Sequence, residues 1–149
     1  IPWAHLSKTV SAGGEEGSVG AGVAGYFTGG ETTLSGEVAG ETVTATASAP
    51  SLAVYGGAAA LLGAVAVAAA VGATKGLDES RVAVAQAVVG VAAVGVTVAA
   101  YLNVSGWSLG VAHSVGYGVY LPALMGVSLV VLAGYTLRVG TASKEAAAA

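Results

Sequence analysis

The chain has 149 residues, 55% of them hydrophobic and only 9% charged, with a net charge of −3, no cysteine and a mean hydropathy of +0.80. A soluble domain carries roughly 25% charged residues, so this is a membrane composition. The lack of cysteine excludes disulfides, thiolate catalysis and cysteine-ligated metals, and the few, dispersed basic residues argue against nucleic acid as a partner.

The chain opens IPWAHLSKTV. Ile1-Pro2-Trp3 reads as the exit of an apolar helix, with Pro2 breaking it and Trp3 in the headgroup belt, where its ring is apolar and its N–H wet. From residue 7 to 49, Gly, Thr, Ser and Glu dominate and apolar residues become single and spaced. The runs VAGYFTGG, TTLSGEVAG and GETVTATAS, with Gly13-Gly14 and Gly29-Gly30 suited to turns, predict three or four short antiparallel strands. Their core would be Val10, Val19, Val23, Tyr26, Phe27, Leu34, Val38 and Val43. That is too little for a free-standing domain of ~45 residues without disulfide or metal. The segment should therefore lean on the helix ends or on a partner subunit.

Three long apolar stretches follow, at residues 52–73, 82–102 and 117–139, none with an ionisable residue before Arg138. About 20 such residues cross the ~30 Å hydrocarbon layer as a helix. Although Val and Gly are poor helix formers in water, lipid forces each segment to satisfy its own backbone groups. Short loops rich in Lys and Arg stay cytoplasmic. The connector TKGLDESR carries Lys75 and Arg81, and the end of the chain carries Arg138 and Lys144, whereas NVSGWSLGVAHSVG carries neither. This predicts residues 74–81 and the C-terminus inside, and residues 1–51 and 103–116 outside. A polar outside segment starting at Ile1 implies either a cleaved signal peptide or an earlier helix ending there, and the apolar start favours a fourth, upstream helix.

Lipid gives no hydrophobic drive between helices, so close contact needs small residues. Gly56, Ala60, Ala64, Ala68 and Gly72 recur every four positions in the first stretch. Ala83, Ala87, Gly95 and Ala99 nearly do so in the second, with Val91 interrupting. Facing each other, these stripes predict a tight hairpin across a connector of about eight residues. The third stretch has Gly118, Gly126 and Gly134, with Pro122 expected to kink its outer end.

Candidates for chemistry are few. His5 and His113 are the only histidines; both fall outside, but a pair without acidic or cysteine neighbours suits interfacial packing better than haem or metal. Trp107, Tyr117 and Tyr120 join Trp3 as the interfacial belt. Gln86, the amide within a span, suits a bond to a neighbouring helix. Asn103-Val104-Ser105 matches a glycosylation acceptor very near the membrane. Asp78 or Ser80 would cap the second helix. Without ionisable groups in the spans, ion-coupled transport is not expected, and no constellation of nucleophile, base or metal ligands is visible. No catalytic residue, cofactor or metal is expected.

In layout, a Gly/Thr/Glu-rich outer segment among four spans, the chain resembles several four-span families, including claudins. It lacks the claudin Trp-Gly-Leu-Trp run and paired cysteines, so no claudin function is implied. Its short Val/Ala/Gly spans and acidic, Thr-rich outer segment resemble small membrane proteins of haloarchaea and, secondarily, of high-GC actinobacteria; that likeness implies a source, not an activity. The expectation is a membrane all-α helical bundle of three visible helices with a small extracytoplasmic antiparallel β segment at 1–51 and a cytoplasmic tail at 140–149. Its function would be non-catalytic, as an accessory or structural subunit in the cell membrane. Its partners would be the lipid bilayer and other membrane subunits or copies of itself. The alternatives are an oligomeric channel for small solutes and a viral envelope membrane protein.

Overall fold

The computed structural model of the chain describes residues 1–109 and 111–148, of which 140–148 as backbone alone. The side chain of Lys144, one of the four cations behind the expected sidedness, therefore lies outside the described residues. Four long strands come first: β1 (Pro2–Ala12), β2 (Glu15–Ala24), β3 (Gly30–Val38) and β4 (Glu41–Ala49). Helices α1 (Ala53–Thr74) and α2 (Glu79–Ser105) follow, then strand β5 (Ala112–Val115), a 3-10 turn at Tyr117–Tyr120, and helix α3 (Leu121–Ala148).

The strands make one antiparallel sheet in the order β4-β3-β2-β1-β5. This overturns the expected all-α bundle with a small β segment: the sheet is a major part of the fold, with strands of up to 11 residues, accompanied by three helices. Two physical reasons hid its size. Its hairpin loops are only two residues long, at Gly13-Gly14 and Ala39-Gly40, with φ of 59°, 80°, 54° and 78°. Such turns match the strand twist and let pairing run almost without interruption. The fifth strand, meanwhile, comes from the connector after α2, where the four residues Ala112–Val115 carry no strand signature.

Register explains the alternation along each strand. Leu6 pairs with Ala21 and Lys8 with Val19; Gly20 pairs with Ser35, and Leu34 with Ala45. One face thus carries Leu6, Val19, Val23, Leu34 and Val38, all buried. The opposite face carries Ser7, Thr9, Ser18, Thr33, Ser35, Thr44 and Thr46, nearly all exposed. At the head of β1 the register shifts between Pro2 and Ala4; this bulge turns two successive residues, Trp3 and Ala4, toward the core. The sheet also curls. The backbones of β1 and β4 approach within 8 Å, although in a flat sheet the two would lie three strand spacings, about 14 Å, apart.

The chain divides into two compact units, Ile1–Gly57 with Val98–Tyr120, and Ala58–Thr97 with Leu121–Ala149. The first unit completes the core that the strands alone leave thin: Leu52, Val104, Trp107 and Val119 are buried alongside the apolar sheet face. Of the residues expected in that core, Tyr26 is exposed, while Leu6, which the sequence pattern does not single out, is among the most buried.

The second unit holds most of the helical length. α1, α2 and the stretch Tyr117–Val139 are long and apolar enough to cross a membrane. α1 ends at a left-handed Gly76 (φ 95°). Leu77 N donates to Gly72 O and Gly76 N to Ala73 O, and the Leu77 side chain lies over Gly72, which closes the helix end with a hydrophobic contact. α2 starts immediately afterwards, with Asp78 Oδ1 accepting from Ser80 N at 3.0 Å.

Candidate functional site

In the first unit, Trp3 sits in a cup of glycines. A side chain on Gly25 would stand 2.5 Å from Trp3 Cε2, and one on Gly118 would stand 2.6 Å from Trp3 Cδ1. Gly116 N donates to Trp3 O at 2.8 Å. On the other side of Gly25, its backbone carbonyl meets Gly56 in the first turn of α1. Ser51 caps that turn: its hydroxyl donates to Phe27 O and accepts from Ala53 N. Trp3 is therefore a buried packing residue, a member of the expected belt placed inside the fold.

Trp107 is buried too. Its Nε1 donates to Asn103 Oδ1 at 2.9 Å, one helical turn back, and its ring lies 6.0 Å from His113. Asn103 is thus a helical residue with its side chain engaged. Tyr117 and Tyr120 are exposed, and Tyr120 meets Tyr101 with ring centres 6.5 Å apart. The two histidines occupy neighbouring strands, but His5 pairs with Ser114 and His113 with Leu6. They project from opposite faces of the sheet and do not form one ligand set.

In the second unit α2 and α3 meet backbone to backbone. A Cβ on Gly90 would stand 2.5 Å from Gly126 O and 2.9 Å from Val130 Cγ2, and a Cβ on Gly126 would meet Gly90 O. The buried face of α2 here runs through Val82, Ala83, Gln86, Val89, Gly90, Ala93 and Thr97. Of the expected packing residues, Ala83 lies on this face and Ala87 on its margin, while Gly95 and Ala99 are exposed. Gly95 has no neighbour within 4 Å of a built Cβ. On α1, Ala60, Ala64 and Ala68 form an exposed line; the buried residue is Ala66, and Gly63 approaches Met125 Sδ. Gly56 and Gly72, the ends of that expected stripe, serve the Gly25 backbone and the Leu77 cap instead.

Sequence reasoning missed Gly90. The signal was present: Gln86 and Thr97, polar residues of this apolar helix, are eleven apart, three helical turns, and mark the face on which Gly90 lies. Gln86 is only 7% exposed.

Where α1 turns into α2, a half-open groove of about 230 Å³ is lined by Ala69, Leu77, Asp78, Arg81, Val82 and Ala85. Its walls are apolar, and its two polar residues carry opposite charges. Among the described residues no cluster of three or more His, Asp or Glu is placed to hold a metal ion. Compared with family models, curated proteins and solved structures, the chain matches none.

Proposed function

We propose that this is a multi-pass protein of the cell membrane that works by assembly, as an accessory or structural subunit of a larger complex or as a repeating component, and not by catalysis. In this reading α1, α2 and the stretch Tyr117–Val139 cross the bilayer, with residues 1–51 and 103–116 outside and the 74–81 turn and C-terminus inside. The observation that carries it is the bareness of the helices. Only 6%, 39% and 28% of the apolar windows of the three spans are buried within the chain. Water would not tolerate such surface, and lipid or another helix would cover it.

Assembly is favoured over a solitary protein by α1. Its Ala60, Ala64 and Ala68 line is exposed in the chain, and four-residue spacing of small side chains permits close approach by a second helix.

Two experiments test the two halves. The chain has no cysteine, so single cysteines at positions 20 and 78 can be labelled from either side of intact membranes; labelling of both from one face overturns the topology. Mass measurement in mild detergent should show an oligomer or a co-purifying chain, lost in Ala64→Leu and kept in Val65→Leu, an exposed control beside the line. A stable solitary monomer of the unmodified chain overturns the assembly reading.

A further inference from the structure

We propose that the groove at the α1–α2 turn binds a phospholipid whose headgroup pairs a phosphate with a primary ammonium. This rests on the membrane reading above. The groove walls, Ala69, Leu77, Val82 and Ala85, offer a surface for part of an acyl chain, and its polar lining is Asp78 and Arg81. Two exposed residues of opposite charge lining an apolar groove complement a zwitterion: Arg81 takes the phosphate as a charge-assisted, bidentate donor, and Asp78 takes the ammonium. Asp78 uses Oδ1 to cap α2 through Ser80 N, which leaves Oδ2 for the ligand.

The charge pattern selects among lipids. An anionic headgroup with no amine would satisfy Arg81 but leave the Asp78 carboxylate facing phosphate. A choline headgroup carries the right charges, yet its quaternary nitrogen has no N–H to donate. A primary ammonium matches both groups. The position agrees with this occupant, because the turn lies at the end of two spans, where headgroups sit.

The test uses the full chain in nanodiscs of equal parts phosphatidylethanolamine, phosphatidylglycerol and phosphatidylcholine, followed by release into detergent and counting of retained lipids by native mass spectrometry. The unmodified chain should retain phosphatidylethanolamine about fivefold over the other two, the effect of one interfacial charge contact. Asp78→Asn preserves the helix cap, since Asn caps as well as Asp, and should abolish that preference while keeping helicity by circular dichroism. Arg81→Gln should reduce retention of all three lipids. Retained lipid that mirrors the disc composition, an enrichment of phosphatidylglycerol, or an Asp78→Asn variant that keeps the original preference overturns the site. A chain washed from the discs by carbonate overturns the membrane reading and the site together, whereas a firmly embedded chain without lipid preference overturns the site alone.

Discussion

Alanine at Gly90 or Gly126 strikes the α2–α3 contact where backbone meets backbone. A Cβ on Gly90 stands 2.5 Å from Gly126 O, and ordinary contact begins near 3.4 Å. A carbonyl in a helix has no rotamer to move to, so the helices must part by about 1 Å, which forfeits roughly a quarter to a half of each dispersion contact at the crossing. Overpacking of this kind costs about 1–3 kcal/mol. Alanine's better helix propensity offsets up to about 1 kcal/mol of that, so the net loss is about 1–2 kcal/mol. Gly95 and Gly134 meet nothing within 4 Å; there the same change brings only the propensity gain. The two pairs should therefore separate by about 2 kcal/mol in opposite directions. Reversible unfolding in mixed micelles titrated with dodecyl sulfate, followed by far-ultraviolet circular dichroism, reads this difference. Because both substitutions push on one contact, the Gly90→Ala/Gly126→Ala double variant should lose less than the sum of the singles. Equal shifts for Gly90→Ala and Gly95→Ala, or a stabilised Gly126→Ala, would refute the crossing.

Gly25→Ala places a Cβ inside the Trp3 ring contact; the indole must leave its cup, at about 1–3 kcal/mol, with a lower thermal midpoint and red-shifted tryptophan emission as the readout. Ala39 holds φ at 54° in a two-residue hairpin loop before Gly40, a conformation that asparagine tolerates and alanine does not. Ala39→Asn should raise stability by about 0.5–1 kcal/mol, and a lowered midpoint counts against the turn geometry.

The three long apolar helices were legible because their signal is composition: a stretch of 20 residues without a charge needs no knowledge of its neighbours. The β hairpins were half legible. Gly13-Gly14 marked one turn and the alternation in residues 41–49 marked one strand. The start of β1 was misread because Pro2 and Trp3 suit a helix exit as well as the first residues of a strand. Pro is tolerated at a strand's first position, and only the partner β2 with its bulge decides between the two. β5 was invisible for a related reason. Ala112–Val115 has no pattern of its own and becomes a strand because Ala4 to Ser7 offers it an edge. Pairing across a hundred residues leaves no local trace.

Glycine shows most sharply where sequence reading fails. The chain has 24 of them, and spacing alone ranked Gly56, Gly72 and Gly95 alike as helix-packing positions. The structure divides them by what stands opposite: a backbone carbonyl of another segment at Gly56, the capping Leu77 at Gly72, and open space at Gly95. A stripe of small residues states only that close approach is permitted. Whether approach occurs depends on a second stripe in register, as Gly90 is with Gly126, or on a partner outside the chain. That is why the unmatched Ala60, Ala64 and Ala68 line carries the assembly argument. A permitted contact left unused within the chain is a surface with the geometry of an interface. If Ala64→Leu leaves the oligomer intact, α1's small residues are a consequence of composition, and the helix meets lipid alone.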